Sequence, residues 1–116
     1  MAKYESRVQG NFDDFLSYLH QGILRGSASA SFENGSDYYW NDALRCAVRV
    51  YERYSMIGSN RVSLNVTVVG NGNDLFVSAI TSGGSQAVFF KINTFGEGAF
   101  LDNAVRVIES YRRGRF

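Results

Sequence analysis

Three arginines and a tyrosine recur along one short stretch: Arg45, Arg49 and Arg53, with Tyr51 between the last two. Even spacing along an extended chain keeps such residues on one face. Arginine presents a planar fork that pairs with carboxylates and phosphates and stacks on aromatic rings. Arg and Tyr are also enriched among the anchors of protein interfaces. Aromatic and basic residues together form stacking platforms for single-stranded nucleic acid. The row therefore has four readings: a solvated face paired with acids such as Glu33 or Glu52, a contact with a second copy, a small-molecule or anion site, or a nucleic-acid platform. Asn65, on the next strand, and Lys91 are expected to share its face.

Other chemistries find less support. The chain holds one Cys, Cys46, and one His, His20. Cys46 falls among aliphatic residues, where a thiol behaves as a small inert hydrophobe. His20 lies four residues after Leu16, at the rim of an apolar helix face. A Cys–His dyad needs both in one place with substrate access, and a core position would deny that access. One His and one Cys are too few for a zinc site, so no metal and no cofactor is expected. Asn71, Asn73 and Asp74 loosely resemble a calcium loop, but no bidentate Glu follows. Thr81 to Gln86 could offer backbone N–H groups to an anion, yet a strand rather than a helix is expected after it. Asp13 and Asp14 are adjacent in a helix start and point apart, which does not suit paired-carboxylate catalysis.

The elements that would position these residues are legible from periodicity. Lys3–Gln9 reads as a strand. Asn11 caps a helix over Phe12–Arg25, with Asp13 and Asp14 in its first turn and Phe12, Phe15, Leu16, Leu19 and Ile23 at helical spacing. Ser27–Glu33 reads as a weak strand with Asn34-Gly35 as a turn signal, and residues 35–43 stay undecided between strand and loop. Leu44–Tyr54 alternates clearly: Leu44, Cys46, Val48 and Val50 on an aliphatic inner face, the Arg/Tyr row outward. Arg61–Val69 and Leu75–Ser82 follow, joined by turns at Gly58-Ser59-Asn60 and Gly70–Asp74. Ala87–Ile92 is a further strand, Thr94 a cap, and Glu97–Arg112 a second amphipathic helix, with 113–116 a frayed tail. The order β-α-β(4)-α predicts a two-layer α+β sandwich: an antiparallel sheet of about five strands with both helices on its aliphatic face, leaving the Arg/Tyr face open.

Bulk properties agree with one domain over residues 1–116. A chain of 116 residues buries roughly 65% of its unfolded surface, enough for a single core. A net charge of +1 gives no field to draw nucleic acid. Ten of the twelve cations are Arg, and proline is absent, which argues against linkers and broken strands. No apolar run reaches membrane-spanning length. The opening Met1–Gly10 carries Lys3, Glu5 and Arg7 and no apolar core, so a signal peptide is not expected and the cytoplasm is the expected location.

The runs Arg61–Val105, Arg45–Ser55 and Gly10–Leu24 resemble a small uncharacterised bacterial family, a domain of unknown function found mainly in Firmicutes. The resemblance spans nearly the whole chain and implies no activity. The strand order is similar to TATA-binding-protein-like or helix-grip folds, an analogy of topology from which function does not follow.

The expectation is a non-catalytic binding module that self-associates through Arg45, Arg49, Tyr51, Arg53, Asn65 and Lys91. Replacing Arg49 and Tyr51 together by Ala should then alter assembly and barely touch stability. The alternatives are a small-ligand carrier with an apolar cavity between sheet and helices, lined by Phe12, Phe15, Phe76, Phe89, Phe90, Phe95 and Phe100, and an enzyme dependent on His20 or Cys46.

Overall fold

Alternation along the fourth strand sets the core. Val62, Leu64, Val66 and Val68 are fully buried, and Leu75, Val77, Ala79 and Thr81 of the next strand lie beside them. The computed structural model describes residues 1–55, 60–83 and 99–114. Within them the chain runs β1 (Ala2–Gln9), α1 (Phe12–Arg25), β2 (Ala30–Tyr39), β3 (Leu44–Ser55), β4 (Asn60–Asn71), β5 (Asp74–Gly83) and α2 (Ala99–Arg112). The five strands form one antiparallel sheet in the order β1-β5-β4-β3-β2. Both helices pack on one face of it, the α+β sandwich expected from the periodicity. Among the described residues no helix is long and apolar enough to cross a membrane.

α1 starts where the sequence indicates. Asn11 Oδ1 accepts the Asp14 N–H at 2.9 Å, and Phe12, Phe15, Leu19 and Ile23 turn into the core. α2 lies against α1. The Phe15 and Tyr111 rings meet edge to face at 4.9 Å, Tyr111 donates to the Asp14 carboxylate at 2.9 Å, and Tyr18 and Ser110 share a hydroxyl bond of 2.7 Å. Such contacts fix two helices laterally, where apolar burial alone would let them slide.

The structure corrects the facing of β3. Antiparallel pairing places Arg45, Ala47, Arg49, Tyr51 and Arg53 opposite Gly70, Val68, Val66, Leu64 and Val62. Directly opposed residues share a face, so the Arg/Tyr row lies on the helix-covered side. Ala47 and Tyr51 are buried there at 0% and 1% exposure. Leu44, Cys46, Val48 and Val50 form part of the open face instead. β3 carries apolar residues on both sides, so its own pattern does not decide which side is inward. Register with β4 decides it, and a one-residue slip would invert every side chain. A further consequence is that Tyr51→Ala would hollow the core, so the expectation of a stability-neutral double variant does not hold.

β2 is also longer than expected. It runs through Asn34-Gly35, which is strand rather than turn, with a bulge between Phe32 and Asn34. Residues 35–39 are strand, and the chain reverses at 40–43. β2 lies beyond the helix layer, and its residues are exposed apart from Ala30. The expected strand Ala87–Ile92, the cap Thr94, the turn residues Gly58 and Ser59, Lys91, Phe89, Phe90 and Phe95 lie outside the described residues.

Candidate functional site

Because the sheet is wider than the helix layer, a groove of about 550 Å³ opens between α1 and the β2–β3 hairpin. α1 contributes Asp13, Leu16, Ser17 and His20; β2 contributes Phe32, Asn34, Gly35 and Asp37; β3 contributes Arg49. Leu16 and Phe32 make its apolar patch, and the remaining side chains supply donors and acceptors.

Two arginines of the sequence row are fixed at this flank. Arg45 Nη1 and Nη2 donate to the two Asp13 carboxylate oxygens at 2.9 and 2.7 Å, a bidentate pair joining β3 to α1. Its guanidinium lies 4.3 Å from the ring centroids of both Phe12 and Tyr39, and it also donates to the Tyr39 hydroxyl. Cation–π contact on two sides adds to the ion pair. The bonds from Arg45 hold the Asp13 carboxyl below the usual carboxylate range and push the Arg45 guanidinium up. Arg49 Nη1 donates to the carbonyls of Val48 at 2.9 Å and Ser36 at 3.3 Å, and Nη2 donates to Asp37 Oδ1 at 3.0 Å. Its side chain crosses β2 at Gly35, where a Cβ would meet the Val48 carbonyl at 2.9 Å and Arg49 Cδ at 3.0 Å. Glycine is therefore what lets the guanidinium lie flat on the hairpin.

His20 lines the groove, and Tyr51 lies buried behind it. His20 Nδ1 lies 2.8 Å from the Tyr51 hydroxyl, and the His20 ring meets Phe32 edge to face at 5.2 Å. Burial pushes the Tyr51 phenol up to about 12. Burial, reinforced by the positive charge of Arg49, pushes the His20 imidazole below its ordinary value. Both groups are neutral at pH 7. A buried phenol needs an acceptor for its proton, and among the described residues His20 Nδ1 is the one that meets it. Donation in that direction assigns the ring proton to Nε2, which makes His20 a hydrogen-bond donor.

The structure separates the residues that the sequence grouped. Arg45, Arg49 and Tyr51 converge on the α1 flank of the sheet. Arg53 shares their face but pairs across to Ala30 and Val62, at the far end of the hairpin. Asn65 is on the opposite face, accepting from Thr67 Oγ1 at 3.2 Å. Cys46 is also on that opposite face, half-buried, so His20 and Cys46 are divided by the sheet and form no dyad. Phe12, Phe15 and Phe100 fill the core, whereas Phe76 stands on the open face, so they line no common cavity. Phe32, Asn34 and Asp37 carry no sequence signal for a site, because the Asn34-Gly35 pair reads as a turn. Among the described residues no group of three or more His, Cys, Asp or Glu could hold a metal ion.

The chain matches the model of a family of unknown function, DUF6054, over residues 1–112, and it belongs to that family. No curated protein and no solved structure matches it.

Proposed function

We propose that this DUF6054 protein is a binding module that takes a small organic acid in the groove between α1 and the β2–β3 hairpin. The acid carries its own donor group, amino or hydroxyl, and an apolar side. The observation that carries this reading is the pairing of Arg49 and a neutral His20 on the walls of one open groove. Among the described residues Arg49 keeps its Nε–H and one Nη2–H beyond the bonds to Val48, Ser36 and Asp37, and His20 offers Nε2–H. Together they suit a carboxylate. Asp37 is an acceptor for the ligand's amino or hydroxyl group, and Leu16 and Phe32 take its apolar side. A volume of about 550 Å³ falls in the range of small-molecule sites.

Binding rather than turnover follows from the same groups. A phenol at about 12 is a poor general acid or base near neutrality, and the imidazole Nδ1 is already engaged by it. Thermal unfolding in the presence of a panel of apolar amino and hydroxy acids, with their amides as controls, tests the reading. Acids should raise Tm in a saturable manner, their amides should not, and Arg49→Gln should remove the effect. Equal stabilisation by acids and amides, or by none of them, would refute it.

A further inference from the structure

With β3 facing this way, no described residue covers the other side of the sheet, which carries an apolar band among polar residues. One cross-strand row runs Tyr38–Cys46–Val69–Phe76, and Val48, Val50 and Ile80 lie in the rows beside it. Trp40 packs on Tyr38 with ring centroids 4.6 Å apart. Tyr38, Trp40, Phe76 and Ile80 are 57%, 56%, 39% and 36% exposed. Rows of this kind normally lie against a second layer, and a contiguous apolar patch on this scale marks an interaction surface.

From this we infer that two copies of the chain pack through this face about a two-fold axis, sheet against sheet. Two observations favour a second copy over an unlike partner. Among the described residues, charge on the face balances: Lys3, Arg7 and Arg61 occupy open-face positions, as do Glu5, Glu52 and Asp74. Lys3 pairs with Glu5 at 3.9 Å and Arg61 with Glu52 at 3.0 Å. A face with no net charge does not repel its own copy, whereas a charged partner would find nothing to select it. Size fits as well. Five strands at about 4.8 Å spacing and ten residues at about 3.4 Å rise give a face of about 800 Å², close to what each partner contributes to a stable interface. Self-association is thus placed on Cys46, Val69 and Phe76 rather than on the Arg/Tyr row.

Sedimentation velocity of the full chain from 1 to 100 µM, combined with the rate at which Cys46 reacts with a thiol reagent, tests the inference. Cys46 is the single thiol and sits in the row between Tyr38 and Val69, so it reports on this face alone. The expected result is a dimer whose Cys46 reactivity falls at least tenfold as concentration rises. Val69→Lys with Phe76→Lys should give a folded monomer, verified by circular dichroism, with fast reaction at every concentration. Three results would overturn the inference: a wild-type monomer throughout, a dimer with Cys46 still freely reactive, or a dimer that survives the double substitution. None of these bears on the groove, which opens on the other side of the sheet.

Discussion

The Tyr51 hydroxyl reaches 2.8 Å across the interlayer space to Nδ1 of His20, joining the third strand to the first helix. This bond records which way β3 faces, and it holds the one imidazole of the chain in the groove lining.

Removing the hydroxyl leaves Nδ1 without its donor. Tyr51→Phe should cost about 1 kcal/mol, the net worth of one buried hydrogen bond. Tyr51→Ala should cost about 3–5 kcal/mol, since it also empties a core position. Urea unfolding of the two variants measures both, and a loss below about 1 kcal/mol for the alanine variant would place the ring outside the core.

The His20 imidazole is pushed down, so the folded protein binds fewer protons than the unfolded chain just below its ordinary value of about 6.5. Stability present above that value is lost as pH falls below it, toward the folded value. Urea midpoints measured between pH 8 and 5 should therefore fall more steeply for the wild type than for His20→Gln. Parallel curves would show that His20 titrates freely.

Asp13 behaves in the carboxylate sense. Its pKa is held down chiefly by the bonds from Arg45, so its contribution is complete above about pH 4 and is lost as pH falls through the lower folded value. The Asp13 side chain is 69% exposed, which limits the pair to about 0.5 kcal/mol. Asp13→Asn should lose about that amount at pH 7 and less in 1 M salt, measured by urea unfolding. A larger loss insensitive to salt would mean that the contact is packing rather than charge.

Much of the fold could be read from periodicity. β1, α1 and β4 carry one apolar face each, so their burial follows from the spacing of Phe12, Phe15, Leu19 and Ile23, or of Val62, Leu64, Val66 and Val68. β3 and β2 could not be read this way, for different reasons. On β3 both Val48–Val50 and Ala47–Tyr51 offer an apolar side, and only pairing with β4 chooses between them. On β2 nothing but Ala30 is drawn even partly inward, so no alternation exists to detect, and Asn34-Gly35 imitates a turn. The groove inherits both difficulties. Its Arg49, and the Tyr51 behind it, are legible as a row but with the opposite facing, and Phe32 and Asp37 join them only through the hairpin register.

Gly35 tests how tightly that register controls the site. A methyl group there would press on the Val48 carbonyl and on the Arg49 side chain. Gly35→Ala should displace the guanidinium from Asp37 and weaken acid binding about tenfold, by calorimetric titration, while the far-ultraviolet dichroism stays unchanged. Unaltered affinity would mean that Arg49 does not need its position across the hairpin.

An acid in the proposed groove meets Arg49 and His20 together, and the single imidazole allows this to be seen directly. Nitrogen-detected NMR of His20 should show a neutral ring with its proton on Nε2. Titration with an apolar amino or hydroxy acid should shift the Nε2–H signal saturably in the wild type and leave it unmoved in Arg49→Gln. An acid that binds the wild type without moving that signal would contradict the proposed site.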